Sequence, residues 1–472
     1  MTKTKIICTI GPASNSKEMI KKLALAGMDI ARLNFSHGTK EGHKKTFSLI
    51  QAVSKELGMP IGVLQDLEGH KIRIGALADP KGVMLKEGAA FYLTNKNVKG
   101  DEKQVTVCCD DIAKYAKPGT SAFIDDGNIE LRIEKIGKQK IQTKVIIGGL
   151  LGARKGIHLP GIEMGLPPLG ARDRSDINFG VRLGVDYIAQ SFVRTAQDVA
   201  AVKRLLARRH AKHVMVIAKI EDAQGIRNID SIIEVSDGIM IARGDMGVCV
   251  QLSEVPLIQK MIIKKCNQRG IPVITATQML DSMMRQNRPT RAEVTDVANA
   301  IIDGTDVAML SGETASGLYP LESVKYLDEI ACTTEASLRY ENLLELREIF
   351  SQETAADAVG RSARELAQLV KSRYILAFTL SGQTAKIISR YRPKAEILAI
   401  TPDKAVLKQL ILYWGVKAVE WGMIKDVEGH LDKFLEIARR RGILKKGDVV
   451  VATAGINRNP KRPSGMIKVM TA

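Results

Sequence analysis

Short runs of β-branched residues alternate with longer segments of helical periodicity along most of this 472-residue sequence, and the alternation limits the folds it can adopt. A strand, a helix and a second strand joined by a right-handed crossover build a parallel sheet, and eight such units close most readily into a barrel. The sequence therefore predicts an α/β protein with a (β/α)8 TIM barrel, whose strands lie at residues 5–9, 29–33, 61–65, 186–190, 214–219, 238–242, 272–275 and 306–310.

The spacing of these units is even except between the third and the fourth, where about 120 residues intervene, far more than a barrel loop normally holds. That segment has short strands separated by Gly, Asp and Asn turns, predicted at residues 90–93, 104–108, 121–124, 129–136 and 141–147. We interpret it as an inserted small β-barrel domain.

After residue 343 the alternation resumes, with strands predicted at 374–378, 396–400 and 448–451 and a helix from 384. This pattern is typical of an open α/β domain. The predicted domains are a catalytic barrel at 1–70 and 162–342, an inserted all-β domain at 71–161, and a carboxyl-terminal regulatory α/β domain at 343–472.

The formal net charge of +18 is compatible with nucleic acid, an acidic membrane surface or phosphorylated small molecules as partners. The densest basic cluster has the spacing of a solvated helix face and lacks interleaved aromatic residues; it consists of Arg204, Arg208, Arg209 and Lys212. We therefore expect no nucleic-acid partner. No apolar stretch is long enough to span a membrane, and six cysteines without paired spacing favour a reducing cytoplasm.

Charged side chains follow several predicted barrel strands, at the end where such barrels carry their catalytic groups. Lys219 and Glu221 leave the same face of an extended chain, and Asp245 follows the next strand. The pair alone is equally compatible with a structural salt bridge. With Asp245, two carboxylates from neighbouring strands indicate an oxygen site for Mg²⁺ beside a lysine that stabilises negative charge.

Further groups suited to anions lie at the same end. Gly244 is one of two glycines where a strand turns toward a helix start, so backbone N–H groups there would face a carboxylate or phosphate. Arg32 and Arg73 add guanidinium groups that match phosphate geometry. The set indicates phosphoryl transfer on a small anionic substrate.

Read together, these segments resemble the pyruvate kinase family along essentially the whole chain. The matching motifs are CTIGPAS at 8–14, ARLNFSHG at 31–38, AKIE at 218–221, ARGD at 242–245, ATQML at 276–280 and MLSGETA at 309–315. The resemblance implies transfer of a phosphoryl group from phosphoenolpyruvate to ADP, followed by protonation of the enolate to pyruvate.

The resemblance also implies a role for each matching residue. Lys219 and Thr277 are expected to be catalytic, Glu221 and Asp245 to hold Mg²⁺ or Mn²⁺, and the inserted domain to act as a lid. The expected substrate contacts are Arg32, Lys219, Gly244, Asp245 and Thr277, and the expected ADP/ATP contacts are Asn34, Phe35, Ser36, His37, Arg73 and Lys155.

One departure concerns potassium. Residues 66–71 read DLEGHK, where family members that need K⁺ usually read DTKGPE. The family's potassium ligands match Asn34, Ser36, Asp66 and the carbonyl of Leu67, but Lys71 replaces the usual glutamate and can bring an ammonium near the K⁺ position. We therefore predict activity without K⁺. His70 replaces a proline at the entry to the inserted domain.

In the carboxyl-terminal domain, the loop Ser381, Gly382, Gln383 and Thr384 follows a strand and opens a helix. Locally, helix capping by Ser381 explains it as well as a phosphate site does. The resemblance favours an allosteric site for a phosphorylated effector, with Lys461 and Arg462 nearby, and implies a homotetramer.

Two other functions are compatible with parts of the sequence. A barrel lyase or aldolase would use Lys219 for a Schiff base or an enolate intermediate, which leaves Arg73, Lys155 and the inserted domain unexplained. A nucleic-acid-binding protein would account for the charge of +18 and predicts a basic face away from the barrel mouth.

Overall fold

The computed structural model describes the chain except for residues 1, 70, 109–111, 126, 161–166, 341–342, 347–353, 423–426 and 456–464. The amino-terminal part contains β1 (Lys5–Thr9), α1 (Lys17–Leu25), β2 (Ile30–Asn34), α2 (Lys40–Leu57) and β3 (Gly62–Asp66). The inserted part contains β4 (Val83–Leu85), β5 (Ala90–Thr94), β6 (Gln104–Thr106), α3 (Ile112–Tyr115), β7 (Ser121–Ile124), β8 (Ile129–Ile136), β9 (Lys140–Ile147), β10 (Gly149–Leu151) and β11 (Ile157–His158).

The alternation of helices and strands then continues. Its elements are α4 (Ala171–Leu183), β12 (Tyr187–Gln190), α5 (Ala196–Arg208), β13 (Met215–Ile220), α6 (Ala223–Arg227), α7 (Ile229–Val235), β14 (Gly238–Ala242), α8 (Arg243–Cys249), α9 (Val255–Arg269), β15 (Val273–Ala276), α10 (Arg291–Asp303), β16 (Val307–Leu310), α11 (Gly312–Ala315) and α12 (Pro320–Ser337). The carboxyl-terminal part contains α13 (Leu343–Leu346), α14 (Ala355–Leu369), β17 (Tyr374–Phe378), α15 (Gln383–Arg390), β18 (Glu396–Thr401), α16 (Lys404–Leu410), β19 (Val416–Glu420), α17 (Val427–Arg440), β20 (Val449–Gly455) and β21 (Gly465–Thr471).

Eight parallel strands close into a barrel in the order β1-β16-β15-β14-β13-β12-β3-β2, which confirms the predicted fold class. Each strand begins and ends within one residue of its predicted position. The strands are buried on both faces: Leu64, Ile217 and Met240 belong to one apolar cluster and Val63, Val216 and Ile239 to another. Their continuous apolar runs, with little polar alternation, are therefore what a barrel of parallel strands requires.

The inserted domain is a curled six-stranded sheet in the order β11-β7-β8-β9-β5-β6. Isolated bridges Arg73↔Gly156 and Ile74↔Val107 link the segment that enters the domain to both edges of this sheet. The sequence did not predict β4, β10 and β11, because two or three residues are too few to show a period.

The carboxyl-terminal sheet has the order β19-β18-β17-β20-β21, with β21 antiparallel to its neighbour. The sequence predicted the central strands and missed both edges, β19 and β21, whose side chains are less buried. The predicted domain boundaries remain predictions.

Within the described ranges no helix is long and apolar enough to cross a membrane. The basic cluster predicted as a solvated face is exposed, at Arg204, Arg208, Arg209 and Lys212. Free thiols are found at Cys8, Cys108, Cys249, Cys266 and Cys332, and Cys109 lies outside the described residues.

Candidate active site

The buried ammonium group of Lys219 lies at the carboxyl-terminal end of the barrel. Its Nζ atom is 3.0 Å from Asp66 Oδ1, 3.1 Å from Glu221 Oε1 and 2.7 Å from Ser191 Oγ. Burial by itself lowers the pKa of Lys219, but the charges of Asp66 and Glu221 outweigh it, so the pKa lies above its ordinary value. The lysine is therefore a fixed positive charge at the barrel mouth.

Arg32 lies beside this lysine and shares a carboxylate with it. Its Nε and Nη2 atoms are both 2.7 Å from Asp66 Oδ2, and its Nη1 donates to Thr9 Oγ1 at 2.8 Å. Burial raises the pKa of Asp66, but Lys219 and Arg32 lower it more, so that its pKa lies below the ordinary value. Asp66, at the end of β3, is thus an ionised anchor that holds Arg32 of the adjacent β2 and Lys219 of β13, two strands away in the barrel.

The two carboxylates predicted to bind a metal both lie at the mouth, and each already contacts a lysine. Glu221 also accepts the backbone N–H of Phe192 at 2.6 Å, and Asp245 Oδ1 is 3.0 Å from Lys71 Nζ. Burial raises the pKa of Glu221, and the nearby charge of Asp245 adds to this rise. Burial also raises the pKa of Asp245, but the charges of Lys71 and Lys219 lower it below its ordinary value.

These two residues fit a hard divalent cation. Carboxylate oxygens are the donors that Mg²⁺ prefers, and their mutual repulsion is what a cation relieves. In the described part of the chain no group of three or more His, Cys, Asp and Glu side chains could hold a metal by itself. Water and substrate oxygens would therefore supply the remaining ligands.

Thr277 and Gly244 meet across two neighbouring strand ends. The N–H of Gly244 donates to Thr277 Oγ1 at 2.8 Å. Thr277 and Gln278 have φ angles of +67° and +54°, an uncommon conformation for residues with side chains and a costly one for β-branched threonine. Arg243 holds this turn, because its Nη2 donates to the carbonyls of Thr277 and Gln278 at 2.8 and 3.2 Å.

The segment predicted to contact the nucleotide leaves β2 at the mouth. Asn34 is half-buried and its Oδ1 accepts the N–H of Ser36 at 3.1 Å, while His37 is exposed. Phe35 is buried and stacks on His43 with ring centroids 4.1 Å apart, and its N–H already donates to the carbonyl of Asp66 at 2.9 Å. Leu67, predicted as a potassium ligand, is buried, and its carbonyl accepts a hydrogen bond from Ser191 Oγ at 2.8 Å.

The cations predicted to bind nucleotide phosphate from the inserted domain are both paired with carboxylates. Lys155 Nζ lies 2.8 Å from Asp125 Oδ1, and Arg73 Nη2 lies 3.1 Å from Glu68 Oε1. Glu68 also pairs with Arg172, whose Nη2 donates to the carbonyl of Phe35 at 2.9 Å. Glu68 therefore connects the entry to the inserted domain with the segment after β2.

The predicted effector loop lies at the start of α15. Gly382 has a φ of +81°, and Ser381 and Gln383 are exposed. Ser381 Oγ is 3.5 Å from the N–H of Gln383, so the capping interaction is weak. Lys461, Arg462 and His70 lie outside the described residues.

Several residues of the site were not predicted. Ser191 links Lys219 to the carbonyl of Leu67, and Thr9 receives a guanidinium N–H of Arg32. Phe192, with a φ of +53°, donates its N–H to Glu221. All three follow or end a barrel strand, so reading the ends of the first and fourth strands as fully as the others would have found them.

The fold and the site together define a class of protein. A closed (β/α)8 barrel whose mouth groups three acidic side chains with three basic ones is an enzyme scaffold for a small, highly charged substrate. An inserted β domain and a carboxyl-terminal α/β domain flank it.

Comparison with known proteins specifies the class. Residues 1–324 match the model of the pyruvate kinase barrel domain, and residues 357–470 match that of the pyruvate kinase alpha/beta domain. The chain belongs to the pyruvate kinase family and is an enzyme of that family.

Individual proteins that resemble this chain are also pyruvate kinases. A pyruvate kinase of Geobacillus stearothermophilus is 45% identical over 469 residues, and one of Staphylococcus haemolyticus is 44% identical over 471. In both cases the match covers 99% of this chain and 80% of the relative. The crystal structure of a pyruvate kinase from Cryptosporidium parvum is similar with a TM-score of 0.93 and 35% identity, over 100% of this chain and 96% of that one.

Proposed function

We propose that the chain catalyses the last step of glycolysis, in which the phosphoryl group of phosphoenolpyruvate passes to ADP and gives ATP and pyruvate. The observation that carries this proposal is the buried Lys219 ammonium, held between Asp66 and Glu221 at the mouth of a pyruvate kinase barrel. Phosphoryl transfer depends mainly on positioning and on neutralising charge, and this site supplies both.

Arg32 and Lys219 carry the contacts to the transferring group. Asp66 fixes both cations, so little reorganisation is needed when a phosphate arrives. Lys219 would exchange one of its three present partners for a phosphoryl oxygen and stabilise the charge that develops there. Arg32 would bind the substrate phosphate through the guanidinium edge that does not face Asp66.

Glu221 and Asp245 are the proposed ligands of Mg²⁺ or Mn²⁺; the family depends on a divalent metal. When bound, the ion neutralises phosphoryl charge and orients substrate oxygens. The N–H groups of Gly244 and Asp245 would receive the substrate carboxylate, and Gly244 would give up its present bond to Thr277 for it. Thr277 would then be free to orient the water that protonates the enolate.

The nucleotide is proposed to bind between the segment 34–37 and the inserted domain. Asn34, Ser36 and His37 approach it from the barrel, with the backbone of Phe35. Arg73 and Lys155 approach it from the inserted domain and would exchange Glu68 and Asp125 for phosphate oxygens. The inserted domain would thus act as a lid that excludes water.

Potassium is proposed not to be required. Lys71 places its ammonium 3.0 Å from Asp245, which is a proposed ligand of the divalent metal at the same barrel mouth. A tethered ammonium can supply the charge that a monovalent ion supplies in relatives.

The proposals about regulation and assembly rest on family membership alone. A phosphorylated effector at Ser381, Gly382, Gln383 and Thr384, a homotetramer and a cytoplasmic location are proposed for this chain. Size-exclusion chromatography with light scattering tests the tetramer.

The alternatives receive less support. A Schiff base needs a lysine with a free lone pair, whereas three acceptors surround Lys219 Nζ. Nucleic-acid binding has only the exposed cluster on α5 in its favour, and that cluster fits a solvated helix face.

A coupled assay for pyruvate from phosphoenolpyruvate and ADP, with and without Mg²⁺, tests the proposal. We expect activity that depends on the metal, and a kcat lowered about a hundredfold or more in Lys219→Met, because a preorganised charge is lost. The matched control is Lys21→Met, which removes an exposed lysine paired with Glu56 far from the mouth. A folded wild type that forms no pyruvate would refute the proposal, and borohydride trapping with pyruvate would support the aldolase instead.

A further inference from the structure

A polar cavity of about 280 Å³ lies between the barrel and the carboxyl-terminal domain. Met215, Asp237 and Ile271 line it from the barrel, at or just before the first residues of β13, β14 and β15. Because Lys219 follows Met215 by four residues, the cavity is about 13 Å or more along β13 from the catalytic lysine. It therefore lies at the end of the barrel opposite the active site.

Helix α15 forms the other wall. Gln383, Lys386, Ile387 and Arg390 all line the cavity, and their spacing places them on one face of the helix. Tyr413 lines the same space, and its ring centroid is 5.3 Å from Lys386 Nζ. A ligand in this cavity would touch both domains at once.

The charges around the cavity are mostly positive. Lys212, Arg269, Lys386 and Arg390 line it, against one carboxylate, Asp237. Asp237 already pairs with Lys203 Nζ at 2.8 Å and accepts the N–H of Val216 at 2.8 Å. Arg269 and Arg390 are likewise paired, with Glu234 at 3.2 Å and Asp357 at 3.0 Å, so the excess positive charge inside the cavity comes from Lys212 and Lys386.

Of these two lysines, Lys386 is half-buried and Lys212 is exposed. Among the residues that the structure describes, no carboxylate lies within ion-pair distance of the Nζ atom of Lys386. Burial lowers the pKa of Lys386, and Asp237 opposes this shift only from a distance. A half-buried ammonium without a charged partner is costly, and a bound anion would remove that cost.

We propose that this cavity binds a small phosphomonoester through Lys386, and that the bound ligand joins the carboxyl-terminal domain to the barrel. A phosphate group carries two negative charges and several acceptor oxygens, which suits a cavity with excess cations. The volume is near the lower end of ligand sites, roughly 300–1,000 Å³, so a compact metabolite fits. Gln383 also lines the cavity, and its side-chain amide would hydrogen-bond to hydroxyl groups of the ligand.

Isothermal titration of the full chain with glycerol 3-phosphate, and separately with inorganic phosphate, tests this proposal. The proposed active site and the proposed effector loop, which shares Gln383 with this cavity, would also bind phosphate, so variants at Lys386 and Ser381 are used to separate the sites. In Lys386→Met we expect the Kd of the binding event at this cavity to rise at least about tenfold, because a charge-assisted contact is lost. Ser381→Ala, in the effector loop, and Lys404→Met, an exposed lysine of the same domain, should retain it.

Thermal unfolding gives a second measurement. The ester should raise the Tm of the wild type more than that of Lys386→Met, because a ligand that binds only the folded protein stabilises it. Equal isotherms and equal shifts in the two proteins would overturn the proposal, as would loss of the event in Ser381→Ala alone. An identical response to sulfate would show a general anion effect and overturn selectivity for the ester. None of these readouts needs pyruvate kinase activity, so the two proposals fail independently.

Discussion

Lys71 adds a positive charge to the mouth of the active site. Its Nζ atom lies 3.0 Å from Asp245 Oδ1, and both side chains are about one-quarter exposed. With Arg32 and Lys219 it brings the basic groups to three, against the carboxylates of Asp66, Glu221 and Asp245. The six side chains are therefore balanced in formal charge before any ion binds, and the proposal that K⁺ is not required rests on the ammonium that Lys71 adds.

Replacing Lys71 by glutamate should create a requirement for potassium. Without K⁺ we expect the kcat of Lys71→Glu to fall on the order of a hundredfold, because a positive charge is exchanged for a negative one beside Asp245. Added K⁺ should restore much of it and leave the wild type nearly unchanged. Steady-state rates at saturating Mg²⁺, with tetramethylammonium chloride as the ionic-strength control, measure this. A wild type that is inactive without K⁺ would contradict it.

At this scale, the pattern of strands and charges predicts charged site residues more readily than neutral ones. Lys219, Glu221 and Asp245 stand out because ionised groups directly after apolar strands are unusual. Ser191 contacts Lys219 and Thr9 contacts Arg32, but hydroxyl side chains are common in turns, caps and cores, so their sequence positions carry little information. Phe35 matched a family motif, yet its side chain packs on His43, since motif membership does not specify which atoms face a ligand.

At the scale of elements, the turn after β15 is held by Arg243, the residue that directly follows β14. Thr277 and Gln278 hold positive φ angles next to the site, and Arg243 binds both of their carbonyls while its Nη1 pairs with Asp296 at 2.6 Å. Such strain persists only where neighbouring groups fix it. Arg243 is therefore a positioning residue for Thr277.

Arg243→Lys should lower kcat about tenfold or more while the KM for ADP stays nearly constant. Lysine cannot reproduce the planar fork, so Thr277 Oγ1 would move relative to Gly244, and a shift of about 1 Å can cost up to a hundredfold. The predicted nucleotide contacts lie on other strands. Asp296→Asn, which keeps the bonds to the turn, is the control and should lose less. A variant with a lower Tm but an unchanged kcat would show that Arg243 is merely structural.

The barrel strands could be predicted from sequence because each is an apolar run of several residues with a polar boundary. The turn after β15 could not, since positive φ values at Thr277 and Gln278 oppose the local preferences of threonine and glutamine. Interactions with Arg243, more than 30 residues earlier, override those preferences. Edge strand β19 was missed because its alternation of half-buried residues is weak.

At the scale of the whole molecule, a buried ion pair and an arginine–carbonyl hydrogen bond join the carboxyl-terminal domain to the amino-terminal face of the barrel. Arg392 Nη2 is 2.7 Å from Asp306 Oδ1, and Arg390 Nη2 donates to the carbonyl of Gln268 at 2.7 Å. These partners are distant in sequence and both arginines resemble ordinary surface residues in the sequence. The relative placement of the domains was therefore beyond prediction from local patterns.

Asp186 lies at the same junction between the domains, and its ionisation makes the stability of the folded protein depend on pH. It precedes β12, accepts the N–H of Val63 at 2.8 Å, and interacts with Lys408 of α16 and with His213. Burial raises its pKa from 3.8 to about 6, a rise that Lys408 only partly offsets. Because the folded pKa is above the unfolded one, its contribution to stability is complete below about 3.8 and is lost as the pH rises through about 6.

Asp186→Asn should therefore stabilise the protein at neutral pH, where the wild type keeps a buried carboxylate. The shift corresponds to at most ~3 kcal/mol, or a few degrees in Tm, and asparagine can still accept the N–H of Val63. The advantage over the wild type should shrink as the pH falls from about 6 toward 3.8, as measured by Tm at several pH values. Asp230→Asn removes a carboxylate that is 62% exposed and should show no such trend. An advantage that is independent of pH, or a variant that is less stable than the wild type at neutral pH, would show that burial of Asp186 does not control the junction.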